Sequence, residues 1–369
     1  MGCYENIYFG RAAAQEIRNK GSGGGIVSAV LVSALQKGLV EGSLVVEMSK
    51  TITPFYVISR SKEQVIKTAQ SKYIVAPLNQ ILKNLKSKRG QFVLVALPCQ
   101  VHAIRKLQRE GPEWVSKKIK YVIGLFCASS LRRNFLDYLF WSLGVKKQDA
   151  KELQFRHRRN STTSSLLLLT RGGTRFFIDR KDYSFLFYLF PREACLYCTD
   201  HTNEFADISV GDMRPFPKDS PNYEAIEPLQ SVIIVRTKKG VELLRNTDLI
   251  LFDYDVNDLI ASKLTNMIDK KICSRTRMQL QARKGLSVPI IKQNMLEDYT
   301  LRGYDKKICP SNAFKAIRYA YEIAWLEVLH LTTHKTFAAI LSRIPLQILK
   351  AIVSRFLRYK TWGLLKKSD

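Results

Sequence analysis

The chain of 369 residues is long enough for two domains, or one large domain with an extension, and its 46% hydrophobic content is that of a globular protein. Lys and Arg outnumber Asp and Glu by 59 to 32, a net charge of +27, which suits a polyanion (nucleic acid, an anionic membrane, a phosphate-bearing coenzyme or an acidic protein) without choosing among them. Seven cysteines, an odd number, occur in a chain whose polar start, Met1–Arg11, has no secretory core and whose apolar runs stay well below about 18 residues; this argues against disulfides and membrane-spanning helices, and for metal or redox chemistry in a reducing, cytoplasmic setting.

In chain order, the first feature is Gly21-Ser22-Gly23-Gly24-Gly25, followed by an amphipathic helix face of Ile26, Val30, Ala34 and Leu35, with Gly38 and Gly42 punctuating its end. Such a loop presents backbone N–H groups to a phosphate. It is not a Rossmann fingerprint, because the G-x-G-x-x-G spacing is absent and no clear strand precedes it, nor a P-loop, because no Gly-Lys-Ser/Thr follows. The bland alternative is a flexible loop before a core helix. Leu44–Met48 reads as a strand, Thr51–Ser59 as another, Ser61–Ser71 as a helix ending at Ser71-Lys72-Tyr73, and Asn79–Lys88 as a basic helix.

Phe92–Leu97 is apolar without alternation, the pattern of a strand buried on both faces. Pro98 ends it, and Cys99 then falls at or near a helix N-terminus, where a thiolate is favoured. Tyr121–Phe126 is a second such strand, ending at Cys127. Two thiols at the carboxyl ends of two strands of one sheet face the crevice where open α/β sheets bind ligands. Leu131–Leu143 reads as a helix, Val145–Glu152 as a connector and Gln154–Arg159 as a basic stretch. Ser164–Thr170 and Thr174–Asp179 form a hairpin around Arg171-Gly172-Gly173, and Ser231–Val235 is another buried strand followed by a helix from Val241.

Cys195-Leu196-Tyr197-Cys198 is the only C-x-x-C, a metal or cluster half-site or a redox dithiol. Thiolates from Cys99, Cys127, Cys195 and Cys198 would satisfy a 4Fe–4S cluster or a tetrahedral zinc, with His201 as a rival zinc ligand; the competing reading is that Cys99 and Cys127 are small core residues. From Asn312 the chain reads helical, with a stripe of Ile348, Leu349, Ile352, Val353, Phe356 and Leu357 opposite Gln347, Lys350, Ser354 and Arg358. That helix either packs on the protein or lies on an anionic membrane; vesicle sedimentation with and without residues 340–369 separates the two.

An ordered series of segments resembles the coenzyme F420 hydrogenase and dehydrogenase beta-subunit family. The series is Arg18 with the Gly21–Gly24 loop, Ser71-Lys72-Tyr73, Leu97-Pro98-Cys99-Gln100, Gly124–Cys127, Cys195–Asp200, Ala206–Asp212 and Arg236–Gly240, between about Tyr8 and residue 290. The resemblance implies an α/β core with an added α+β part, an oxidoreductase that binds FAD beside a 4Fe–4S cluster, and coenzyme F420 or a similar hydride donor as substrate. Carried over, Cys99, Cys127, Cys195 and Cys198 are the cluster ligands; Ser22, Gly23 and Gly24 hold flavin phosphate; Arg18, Lys72 and Tyr73 line the flavin site. It implies segments 1–88 and 89–300, followed by a basic helical extension over 301–369. Only Cys3 precedes the glycine loop, so the ferredoxin-like module of many relatives is missing, and a separate partner such as a ferredoxin is expected to exchange electrons. The loop is Gly-Ser-Gly-Gly where relatives often have Ser-Ser-Gly-Gly, and Gln70 replaces a frequent Gly. Two other readings are a zinc-stabilised basic module that binds nucleic acid, and a redox protein of a polysaccharide pathway peripheral to the inner face of the membrane.

Overall fold

The computed structural model describes residues 1–158, 164–184, 186–213 and 230–260, with scattered positions between 262 and 288. Strand β1 (Asn6–Ala12) buries Ile7, Phe9 and Ala12, and the short helix α1 (Gln15–Lys20) follows. The expectation that no strand precedes the glycine loop is therefore corrected. β1 mixes polar residues and Gly10 with its apolar ones, and it is separated from the loop by α1.

Gly25, at φ +77, turns the loop into α2 (Ile26–Gln36), a left-handed conformation that a side chain would resist. Next come the hairpin of β2 (Gly42–Met48) and β3 (Pro54–Ser59), then α3 (Lys62–Lys67), whose first turn is capped by Ser61 Oγ accepting from Gln64 N. α4 (Leu78–Leu85) leads into β4 (Phe92–Ala96), every residue of which is buried. α5 (Pro98–Glu110) begins with Pro at its first position, and Gln100 Oε1 reaches back to accept from Leu97 N at 3.1 Å, the reciprocal half of a capping box. α6 (Trp114–Lys118), β5 (Ile119–Leu125) and α7 (Asn134–Ser142) complete this stretch. β6 (Ala150–Arg158), β7 (Ser164–Thr170) and β8 (Arg175–Asp179) follow, with short helices α8 (Arg180–Tyr183), α9 (Leu186–Leu189) and α10 (Glu193–Leu196). The described part closes with β9 (Ile208–Asp212), β10 (Ser231–Val235), α11 (Lys238–Arg245) and β11 (Leu249–Asp253).

Eight strands form one mixed sheet in the order β11-β1-β10-β9-β5-β4-β2-β3. β2, β4, β5 and β9 run parallel, while β10 enters antiparallel between β9 and β1. Helices cover both faces, which explains the unbroken apolar strands. Val93, Val95, Tyr121 and Ile123 pack with α2 and α11 residues on one face; Phe92, Leu94, Ala96 and Val122 pack with α4, α5 and α6 residues on the other. Each such Val or Leu contributes about 1.5–3 kcal/mol by leaving water. β6, β7 and β8 form a separate antiparallel sheet; β6 takes in the end of the stretch read as connector and most of the stretch read as basic.

Two compact units are distinguished: Met1–Phe190 with Asp200–Lys263, which holds both sheets, and Pro191–Thr199 with the chain from Leu264 onward. The mixed α/β class agrees with the sequence reading. The expected helical extension over 301–369 lies outside the described residues, as do Cys273 and Cys309. Among the described residues no helix is long and apolar enough to cross a membrane.

Candidate functional site

The parallel run fixes where the chemistry-bearing residues emerge. The carboxyl ends of β4, β5 and β9 share one edge of the sheet, and Ser231, opening antiparallel β10, lies at the same edge opposite Asp212 and Gly10. Cys99, in the first turn of α5, follows β4; Cys127 lies two residues beyond β5. Both expected thiols therefore stand at the ends of adjacent parallel strands, and Cys99 is exposed. Tyr56 lies under this corner, its hydroxyl donating to Val95 O at 3.2 Å and Gln100 Oε1 at 2.9 Å. Burial first, then the charge of Cys99, raises its phenol pKa well above the ordinary value.

The loop after Thr199 plugs the two strand ends. Asn203, at φ +62, donates through Nδ2 to Ala96 O at 2.9 Å and Leu125 O at 3.3 Å, while Cys127 N donates to His201 O at 2.9 Å. Asp200 accepts from Asn203 N at 2.7 Å and Glu204 N at 2.9 Å and pairs with His102 Nε2 at 3.0 Å. Burial raises the Asp200 pKa, but the His102 bond and the backbone donors outweigh it, so the carboxyl is held low. His102, expected on the helix surface, is on α5 and half-exposed, and His201, the rival zinc ligand, is buried with its ring 5.7 Å from Phe126.

At the same edge the glycine loop is gripped from several directions. Gly24 N donates to Ser231 Oγ at 3.0 Å and Ala12 N donates to Gly24 O at 2.8 Å; a Cβ on Gly24 would stand 2.5 Å from Gly10 O, so only glycine fits against β1. Ser22 Oγ accepts from Ser71 N at 2.8 Å and meets Ser71 Oγ at 3.1 Å. Gly23 faces Asp212, whose Oδ1 would be 3.7 Å from a Cβ there. Arg18 Nη1 donates to Ala12 O at 2.7 Å and Ala13 O at 2.5 Å, clamping α1 to the end of β1.

Lys72 turns its ammonium back to the end of α3, donating to Ala69 O at 2.7 Å and Gln70 O at 3.0 Å, with Thr68 O also in reach. Burial lowers its pKa to about 8, against a smaller opposing effect of Glu47. Tyr73 packs edge-on to Phe155 and Phe187, at 5.3 and 5.0 Å between ring centroids, with its hydroxyl 3.4 Å from Arg156 Nη1. The sequence reading missed Arg156 and Arg158. Arg156 Nη1 pairs with Asp212 Oδ2 at 2.6 Å and its Nη2 donates to Ser22 O at 2.9 Å; Arg158 Nη2 donates to Gly21 O at 2.9 Å and Gly23 O at 3.0 Å. Burial alone would lower the Arg156 pKa, but the Asp212 carboxylate outweighs it and holds the guanidinium charged; burial and then the Arg156 charge lower that of Arg158. The period-2 placement of two arginines in an otherwise half-buried stretch was the available signal.

The second unit carries Cys195 and Cys198 around the end of α10, with Cys198 N 3.4 Å from Cys195 O. Their backbone carbonyls are held within that unit: Lys270 Nζ donates to Cys195 O at 3.4 Å and Ser274 Oγ to Cys198 O at 2.9 Å. Among the described residues no group of three or more His, Cys, Asp or Glu is gathered to hold a metal ion. As donors, thiolates suit an iron–sulfur cluster or zinc, and a glycine loop under guanidinium groups suits a phosphate-bearing nucleotide.

Comparison with known proteins matches both halves of this edge. Two sequence profiles of the coenzyme F420 hydrogenase/dehydrogenase beta subunit apply: the N-terminal one covers residues 7–83 and the C-terminal one covers residues 90–249. The coenzyme F420-dependent sulfite reductase of Methanocaldococcus jannaschii is 27% identical over 259 residues, 67% of this chain but only 37% of that protein's length. The beta subunit of coenzyme F420 hydrogenase from Methanothermobacter thermautotrophicus is 25% identical over 256 residues, 66% of this chain and 82% of the relative. A chain of the F420-reducing NiFe hydrogenase complex from Methanosarcina barkeri has a similar fold, with a TM-score of 0.59 at 22% identity over 78% of this chain and 97% of that one. With the two profiles together spanning most of its length, the chain belongs to the coenzyme F420 hydrogenase/dehydrogenase beta-subunit family.

Proposed function

We propose that this oxidoreductase binds a flavin at the Gly21–Gly25 loop and a 4Fe–4S cluster on Cys99, Cys127, Cys195 and Cys198, and moves electrons between coenzyme F420, or a related hydride donor or acceptor, and a one-electron partner protein. The single observation that supports it best is the shared sheet edge: the loop lies against the ends of β1, β9 and β10, and Cys99 and Cys127 follow β4 and β5 at that same edge. A flavin accepts a hydride and a cluster accepts single electrons, so the pair converts one currency into the other. In this reading the chain's own residues do the binding and orienting. Ser71 fixes Ser22, Ser231 fixes Gly24, and Arg156 ties the loop to Asp212. The first turn of α5 places Cys99 where the helix dipole favours thiolate, and Asn203 keeps the ends of β4 and β5 from splaying. Family membership and this donor chemistry support FAD, the cluster and a ferredoxin-like partner in this reading.

The test is anaerobic purification with flavin and iron quantified against protein, followed by Cys99→Ser and Cys198→Ser variants. The expected result is bound FAD, about four irons per chain, loss of iron in both variants, and reduction of the flavin by reduced coenzyme F420. A colourless protein containing zinc would sink the reading, and salt-dependent nucleic-acid binding by such a protein would favour the basic-module alternative.

A further inference from the structure

Arg156 and Arg158 stand two residues apart on β6, so they leave the strand on one face, and both reach the glycine loop. The loop offers them only carbonyl oxygens, those of Gly21, Ser22 and Gly23, which carry no net charge. Asp212 neutralises part of the cluster, pairing with Arg156 at 2.6 Å and with Arg180, the first residue of α8, at 3.4 Å. Arg158 makes no ion pair among the described residues, and both of its hydrogen bonds come from Nη2. Among the described residues, three guanidinium groups and one carboxylate stand around the loop, so the cluster is cationic. Arg156 is 8% exposed, and its Nε, like that of Arg158, is buried without a hydrogen-bond partner. Neighbouring cations that are partly desolvated and incompletely satisfied repel one another, and a dianion set against them relieves both the repulsion and the unused donors.

We propose that Arg156, Arg158 and Arg180 form a subsite for the dianionic phosphate part of a flavin nucleotide at the Gly21–Gly25 loop, with Asp212 as the positioning residue that sets the Arg156 guanidinium. The inference rests on the flavin reading above. It adds that affinity is carried by side chains of the small sheet and α8, where the loop's backbone alone would have been expected to carry it. Arginine is suited to the task because its rigid planar fork holds a loop carbonyl and a phosphate oxygen from separate nitrogens in fixed geometry, where lysine offers a single flexible point charge.

The experiment titrates riboflavin, FMN and FAD into flavin-stripped full-length protein by fluorescence, for wild type, Arg158→Ala, Arg158→Lys and Arg180→Ala, at low and high salt. In the wild type the phosphate-bearing flavins should bind at least about tenfold more tightly than riboflavin, with the preference weakening as salt rises. Arg158→Ala should bring FMN and FAD down to the riboflavin level while leaving riboflavin unchanged, and Arg158→Lys should restore only part of the preference. Arg180 is exposed, so Arg180→Ala leaves the fold intact and should still cost several-fold. A dinucleotide source for the phosphate shows as FAD above FMN, a mononucleotide source as FMN equal to or above FAD. Full phosphate preference in both Arg158→Ala and Arg180→Ala overturns the subsite. If the wild type binds no flavin at all, the functional reading has failed, and the subsite is judged by inorganic pyrophosphate: a rise in thermal midpoint in wild type and not in Arg158→Ala supports it, and no rise in either overturns it.

Discussion

A guanidinium in the interior is tolerated when its donors are used up, and Arg236 meets that condition. Its Nε donates to Ser209 Oγ at 2.7 Å, Nη1 to Met1 O and Cys3 O at 2.9 and 3.0 Å, and Nη2 to Thr202 O and Oγ1 at 3.0 and 3.2 Å. One side chain thereby joins the first residues, the loop before β9 and the end of β10. Lysine has neither the fork nor the reach, so Arg236→Lys should cost about 2–4 kcal/mol in urea unfolding. Lys72 gives a pH signature instead. Its pKa falls from an ordinary 10.5 to about 8 on folding, so between those values the unfolded chain binds more protons and stability rises with pH. The stability difference between wild type and Lys72→Met should shift in favour of wild type by roughly 2 kcal/mol from pH 7 to pH 9.5. Urea melts at the two pH values would show it, and a constant difference would refute the assignment.

Among the elements, the ends of β4 and β5 depend on close packing that excludes any larger residue. A Cβ on Gly124 would lie 2.3 Å from Asn203 Cγ and 2.7 Å from Ala206 Cβ, so the Asn203 amide fits only because Gly124 has no side chain. Gly124→Ala should expel the Asn203 plug, destabilise the fold by about 2–4 kcal/mol, and raise the rate at which Cys127 reacts with a thiol reagent. Unchanged stability and thiol reactivity would show that the plug does not hold the strand ends. The parallel strands, the helices flanking them and the two strand-end thiols were legible in the sequence because each is written locally: an apolar run, a proline stop, a helical period. β6 was not. Arg156 is buried there by partners at Ser22, Tyr73 and Asp212, which a window of neighbouring residues cannot reveal, so its charge read as surface. β1 escaped for a related reason, since Tyr8, Gly10 and Arg11 dilute the alternation of Ile7 and Phe9. The grip on the glycine loop from β6 and β9 was invisible for the same cause, whereas the loop itself, being contiguous, was plain.

For the molecule as a whole, the order of the sheet departs furthest from the order of the chain. β1 pairs on one side with β10 and on the other with β11, in registers such as Phe9 with Val232 and Phe9 with Phe252. Neither partner lies within 200 residues of it along the chain, so closing these pairs demands contacts of the most distant kind, which form slowly. A fragment of residues 1–213 should lack protected amides in β1 and precipitate, while 1–263 should give β1 the slow hydrogen exchange of a central strand. On the ribosome, β1 is made early and then waits with both edges bare until almost the whole sheet has emerged. Throughout synthesis this strand is an open invitation to mispairing, and a holdase chaperone that covers it should raise the yield of folded protein more than any improvement to the finished core.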